Sequence, residues 1–187
     1  MIRADFFRRD PITCARELIG AQLIWEKCAG KIVETEAYLE HGDEACHTFS
    51  RPSARTFIEQ NRPGAAYIYF SYGAHWMLNV LVKGKRNGFV LFRAVEPILG
   101  IALMRKRRKI EDDRRLCSGP GKLTRAFEIT NRHHAMDLCA DSKHCFVYGE
   151  DDVEVVADKR IGISRSAHHL WRFTERGSKL VSRRVKL

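Results

Sequence analysis

The chain has 187 residues and a formal net charge of +10 at pH 7, from 33 Lys and Arg against 23 Asp and Glu. Hydrophobic residues at 44% and charged residues at 30% suit a soluble globular domain with its own core, and the basic excess favours a polyanionic partner such as nucleic acid over a neutral one. No apolar run approaches the ~20 residues of a membrane span and MIRADFFRRD has no apolar signal region, so a cytoplasmic location with no membrane partner is expected.

Asp10-Pro11 opens a helix, with a capping side chain before a proline whose missing N–H costs nothing. Gly20 stops it, and Ala15, Leu18 and Ile19 form its buried stripe. Ala21 to Trp25 is a short strand, turned at Ala29-Gly30 into a second one that opens with Ile32-Val33. On this second strand Glu34, Glu36 and Tyr38 share a face. A ring there can stack on a flat base or sugar, while a carboxylate takes a proton from water. The chain then loosens from Leu39 to Asp43 and returns through Ala45-Cys46-His47, bringing an imidazole near the strand end. The plain alternative is an edge strand of solvated glutamates with a surface histidine.

Thr48 to Pro63 has the composition of a polar loop, its Arg51, Arg55 and Arg62 suited to phosphate contacts or to solvent alone. Ala66 to Tyr72 is an aromatic strand with Tyr67 and Tyr69 on one face and Ile68, Phe70 and Tyr72 on the other. A hairpin turn at Tyr72-Gly73 leads to a returning strand from His75 to Val82. Tyr72 at that tip either packs on the hairpin flank or acts as a wedge in a base stack. After a basic turn from Lys83 to Gly88, Phe89 to Val95 is an apolar strand containing Arg93. A buried guanidinium needs a counter-charge, and Glu36 or Glu96 can supply it.

Pro97 is placed to start a helix running to about Arg107, with Ile98, Ile101 and Ala102 inward. The basic run from Arg105 to Lys109 is a solvated face or a phosphate contact. Gly119-Pro120-Gly121-Lys122 leads into a helix over Leu123 to Ile129. It lacks the spacer and the hydroxyl residue of a P-loop, which excludes nucleoside triphosphates, but Lys122 at a helix start can hold one DNA phosphate. Strands are expected at Cys145 to Tyr148, Arg160 to Ser164 and Trp171 to Phe173. No repeat or linker interrupts the chain, so residues 1–187 form a single domain. Its class is α/β (α+β), with a curved, mainly antiparallel sheet, peripheral helices and no uncovered apolar face, hence a monomer.

The six cysteines are expected as free thiols. His133, His134, Cys139, His144 and Cys145 match neither a zinc-finger nor a zinc-ribbon spacing, so no metal is assigned.

VETEAY (Val33 to Tyr38), DEACH (Asp43 to His47), YIYFSYGAHWMLNV (Tyr67 to Val80), LFRAVEP (Leu91 to Pro97) and LCSGPGKL (Leu116 to Leu123) occur in an order and spacing that resembles the alkyladenine (3-methyladenine) DNA glycosylase family, from roughly Ala15 to Arg184. The resemblance implies a fold like the C-terminal domain of formyltransferases. It also implies a monofunctional enzyme, without cofactor, that flips damaged purines out of double-stranded DNA and hydrolyses the bond to deoxyribose. Glu36 would activate the attacking water, and Arg93 would hold that water and the adjacent phosphate. Tyr38 and Tyr69 would stack on the base, His47 would pack on it and read its edge, and Asn79 would crowd out the guanine amine. Tyr72 would be the wedge, Lys122 a phosphate contact, and the RIGIS segment part of the site floor. The chain departs from the family pattern at Arg55-Thr56, Ile58-Glu59 and Ala74.

Three rival functions are kept. A glycosylase-lyase needs a lysine nucleophile, and only Lys31 lies at the edge of the candidate strands. A sugar glycosidase would use Glu34 and Glu36 as its carboxylate pair. A non-catalytic nucleic-acid-binding protein on the same fold would need neither.

Overall fold

The computed structural model describes residues 1–71, 73–149 and 152–184. Its strands are β1 (Gln22–Trp25), β2 (Cys28–Leu39), β3 (Ala66–Ser71), β4 (His75–Lys83), β5 (Asn87–Leu99), β6 (His144–Val147), β7 (Val155–Asp158) and β8 (Arg172–Glu175). Helices are α1 (Pro11–Glu17), α2 (His47–Ser50), α3 (Pro52–Gln60), α4 (Ile101–Arg108) and α5 (Pro120–Phe127). The main sheet runs β3-β4-β5-β2-β1-β6 and its pairings are antiparallel. This is the α/β class expected, a curled antiparallel sheet with few helices around it. No helix among the described residues is long and apolar enough to cross a membrane.

β2 is where the sheet forks. One edge pairs with β5 along nearly its whole length. The other edge is shared, by β1 over Cys28 to Lys31 and by β8 over Glu34 to Glu36. Side chains two apart on a strand point to the same face, and that alternation sorts the sheet into two sides. Ala37 of β2, Ile68 of β3, Leu78, Val80 and Val82 of β4, and Val90 and Phe92 of β5 enter the main core with Phe7, Leu18 and Phe146. Burying each such side chain contributes about 1.5–3 kcal/mol. Thr35 points to the same side, its hydroxyl donating to the Ala15 carbonyl of α1 at 2.7 Å. The opposite side carries Glu36, Tyr38, Tyr67, Tyr69, Asn79 and Arg93, beside a smaller core of Ala54, Phe57, Ile58, Leu81 and Phe89. Gly88 lets β5 approach β2 there, since a Cβ on it would lie 2.1 Å from the Tyr38 carbonyl oxygen.

Several expected boundaries are corrected. The β1–β2 turn falls at Glu26-Lys27, where Glu26 takes a left-handed φ of 52°, so Ala29 and Gly30 are strand residues. The supposed loop from Thr48 to Pro63 contains α2 and α3. Pro52 occupies the first turn of α3, and Ala54, Phe57 and Ile58 form a three-four spaced apolar face that the neighbouring arginines obscure. Pro97 starts no helix: it lies inside β5 opposite Gly30, at a register shift after which the ladder runs on to Leu99 opposite Ala29, an irregularity where a missing N–H is tolerated. Gly100, at φ 80°, then turns the chain into α4, whose buried residue is Met104; Ile98 is half exposed. α5 begins at Pro120, ahead of Leu123. Arg160 to Ser164 is a loop, and the strand before it is β7. The three arginines of the basic run are held internally, Arg105 on Asp113, Arg107 on Glu128 and Arg108 on the Leu116 carbonyl, while Lys106 and Lys109 are exposed.

Candidate active site

The polar side of the sheet opens into a cavity of ≈ 460 Å³, within the range of small-ligand pockets. Tyr38, His47, Tyr69, Asn79 and Arg93 line it, all expected as site residues. The structure adds Arg51, Met77, Pro120 and the segment from Ile161 to Ile163, so RIGIS does border the site, though as a loop. Tyr72 lies outside the described residues. Lys122 is not among the lining residues; it sits one turn into α5 with its Nζ 3.3 Å from Ser118 Oγ. The start of α5 is pressed against the β3–β4 hairpin, because a Cβ on Gly121 would lie 2.5 Å from the His75 ring.

Glu36 is 0% exposed and lies directly behind the lining. Its Oε2 accepts from the Tyr38 hydroxyl at 2.8 Å and is 3.2 Å from Arg93 Nη1, and its Oε1 accepts from the Ile161 N–H at 2.7 Å. Tyr38, Arg93 and Ile161 all line the cavity, so the carboxylate touches the site through them. Burial raises its pKa; Arg93, the Ile161 N–H and the Tyr38 hydroxyl pull the other way without cancelling that effect. Burial, then the Glu36 charge, push the Tyr38 hydroxyl well above its ordinary range, so it stays a proton donor.

Arg93 does not pair with Glu96, which lies on Lys31 instead. Its partners are both glutamates of β2, Glu34 at 3.1 Å and Glu36 at 3.2 Å. Glu34 is 0% exposed and saturated. Its Oε1 receives Arg93 Nε, Arg172 Nε at 2.7 Å and the Ser182 hydroxyl at 2.8 Å, and its Oε2 receives the Ser182 N–H. Arg172 also reaches Asp158 at 2.9 Å. The pairing of β2 with β5 shifts register on both sides of Glu34. Of the two carboxylates, Glu36 alone adjoins the cavity, and this removes the paired-carboxylate basis for a sugar glycosidase.

One face of Tyr38 is already covered. The Arg160 guanidinium lies 4.5 Å from its ring centre and 5.0 Å from that of Trp171. Arg160 is fixed by both oxygens of Asp43, at 2.6 and 2.8 Å, and by the Ala37 carbonyl, with both charged side chains fully buried. Asp43 in turn accepts the Leu39 and Ala45 N–H groups, closing the loop that brings His47 to the cavity. Sequence reasoning missed this pair: Asp43 looked like loop residue and Arg160 like the start of a strand.

On the far wall His47 packs edge-on to Tyr69, ring centres 4.2 Å apart, and its Nδ1 is 3.1 Å from the Tyr67 hydroxyl. The Asn79 amide donates to the Tyr67 carbonyl at 3.1 Å, which fixes its orientation. Burial, then the nearby Arg51 charge, lower the His47 pKa from 6.5 to about 4, so the imidazole is neutral at neutral pH. An unfolded chain takes up that proton near its ordinary 6.5. The contribution of His47 to stability is therefore complete above that pH and is lost as pH falls towards about 4. A His47→Gln variant is expected to show a flatter dependence of Tm on pH over this window than the parent, followed by calorimetry. Parallel curves would contradict a neutral, half-buried imidazole.

Comparison with known proteins agrees with this geometry. The family model described as methylpurine-DNA glycosylase matches residues 5–179. A protein of Rhodopseudomonas palustris (strain BisB18) named "Putative 3-methyladenine DNA glycosylase" is 45% identical over 184 residues, 97% of this chain and 90% of the relative. Relatives of the same name from Nitrosospira multiformis and Chlorobaculum tepidum are 43% identical over 95% of this chain and 91% of theirs, and 41% identical over 96% and 90%. The chain belongs to the methylpurine-DNA glycosylase family and is a DNA glycosylase.

Proposed function

We propose that this enzyme is a monofunctional glycosylase that takes a methylated or deaminated purine out of double-stranded DNA and hydrolyses its N-glycosidic bond with a water activated by Glu36. The observation that carries this is a fully buried carboxylate of raised pKa, joined through Tyr38 and Arg93 to an aromatic cavity. Burial makes that carboxylate a stronger base than a solvated glutamate, as a proton acceptor for water requires.

C1′ of a duplex nucleotide is out of reach until the nucleotide is everted, at a cost of a few kcal/mol that is smallest for a damaged or mispaired base. The base enters between Tyr38 and Tyr69. Arg160 already occupies one face of Tyr38, so the base meets the other. His47 packs on the base and reads its edge, and the fixed Asn79 amide crowds the exocyclic amine of guanine. Water approaches Glu36 beside Arg93, on the carboxylate oxygen that Tyr38 now holds. The water oxygen bonds to C1′, its proton passes to Glu36, and the purine leaves with the electrons of the broken bond. Arg93 stabilises the charge that moves, together with the flanking phosphate. Tyr72 fills the gap in the stack, and Lys122 takes a phosphate near the start of α5. The enzyme works as a cytoplasmic monomer.

No lysine lines the cavity among the described residues, which favours hydrolysis over a Schiff-base lyase. The test is a set of duplexes bearing 3-methyladenine, 7-methylguanine or hypoxanthine, incubated with enzyme and analysed for free base. Release of at least one modified base, with strands left intact at the abasic site and nothing trapped by borohydride, is expected. Release of none would leave a DNA-binding protein; borohydride trapping would make it a lyase.

A further inference from the structure

Away from the cavity, the β1–β2 turn meets the start of β6 and the short helical turn Asn131–His133. Glu26, His133 and His144 face one another there, their ligating atoms all within 4.8 Å of each other. The glycosylase mechanism uses none of them.

His144 is 9% exposed. Its Nδ1 lies 2.6 Å from Asp141 Oδ2, while its Nε2 is buried with no hydrogen-bond partner, 3.7 Å from Glu26 Oε1. A carboxylate on one ring nitrogen fixes the proton there and leaves a lone pair on the other, the arrangement usual for a metal-bound histidine. A buried ring nitrogen with no hydrogen-bond partner is otherwise costly. His133 is 3% exposed, and both of its ring nitrogens have partners. Its Nδ1 is tied to Thr130, accepting from the N–H at 3.2 Å or donating to the carbonyl at 3.3 Å according to the tautomer; metal binding at Nε2 selects the second and displaces the Arg132 Nε–H that Nε2 now meets at 3.2 Å. Arg132 is exposed and free to swing away. Glu26 is held in its left-handed turn by an N–H bond to the Lys143 carbonyl at 2.7 Å, which ties the turn to the β6 side.

We propose that Glu26, His133 and His144 form a binding site for one first-row divalent cation of the zinc type, with a fourth position left to water. Two imidazoles and a carboxylate suit such a borderline ion and not calcium or magnesium, which require oxygen ligands. A tetrahedral ion with bonds of about 2.0–2.1 Å sets its ligand atoms roughly 3.4 Å apart. From their present separations of up to 4.8 Å the ligand atoms close to that spacing by turning the exposed Glu26 side chain and by small rotations of the two imidazole rings. The ion clips the β1–β2 turn, β6 and the segment at residue 133 together. The spacing of metal ligands along the sequence does not reveal it, because Glu26 comes from more than a hundred residues upstream of both histidines.

Trp25 reports on the site. Its ring centre lies 4.9 Å from that of His133 and 5.0 Å from that of His144. Chelator-treated protein is titrated with Zn²⁺ by calorimetry and with Cu²⁺ by tryptophan emission. One Zn²⁺ per chain and saturable quenching by Cu²⁺ are expected. Asp141→Asn should weaken Zn²⁺ binding about 10–100-fold and His144→Gln by more. Glu26→Gln, at an exposed turn where folding is not at risk, should weaken it while leaving base excision unchanged. Absence of saturable binding to the parent, or parental affinity in both Glu26→Gln and His144→Gln, would overturn the site.

Discussion

Glu36→Gln is expected to bind lesion-containing duplex DNA as the parent does and to release base about 10²–10⁴-fold more slowly, the range that a positioned general base supplies. Glutamine keeps the size of the side chain and its acceptor for the Ile161 N–H, so the loop bearing Ile161 to Ile163 stays in place. What it loses is the charge. The Tyr38 hydroxyl can reverse its hydrogen bond, and Arg93 retains Glu34. Single-turnover release of free base, with affinity followed by fluorescence anisotropy, separates the two effects. Loss of DNA affinity along with rate would mean that Glu36 acts through the shape of the site; a parental rate would remove it from the chemistry.

Arg160→Met is expected to destabilise the protein by about 3–5 kcal/mol, because it leaves the Asp43 carboxylate buried without its counter-charge. Chemical denaturation monitored by circular dichroism gives this value directly. The double variant Arg160→Met/Asp43→Leu should recover part of the loss, since a buried pair replaced by apolar groups is often close to neutral. Excision should stay impaired in the double variant. Tyr38 has lost the guanidinium that covers one face, and the Leu39 and Ala45 N–H groups have lost the acceptor that holds the loop before His47. Full activity in a refolded double variant would make the pair purely structural.

The strand-borne part of the site was legible because alternation is a local property. Glu36 and Tyr38 on β2, Tyr69 on β3, Asn79 on β4 and Arg93 on β5 fall on one side of the sheet, as their two-residue period requires. The resemblance of VETEAY, DEACH and LFRAVEP to a glycosylase family then supplied roles that periodicity cannot. What stayed hidden depends on contacts far apart in the chain. Asp43 meets Arg160 across 117 residues, and Glu34 meets Arg172 across 138 and Ser182 across 148. No local pattern in a single sequence encodes such partners. For the same reason Arg93 was correctly judged to need a carboxylate, and Glu36 is one of its two, but Glu34 was not anticipated. Helix α3 was masked differently: its arginines and Pro52 have loop-like composition, and only the apolar spacing of Ala54, Phe57 and Ile58 marks the helix.

The most direct test of Glu36 as the base is the pH dependence of single-turnover excision by the unmodified enzyme on a 7-methylpurine lesion, whose ring is already cationic and needs no proton to leave. Burial lifts the Glu36 pKa, so the rate should fall on the acid side with a midpoint above the ~4.3 of an ordinary glutamate. A rate that holds level through that value, or rises as the solution is made more acid, would contradict the assignment.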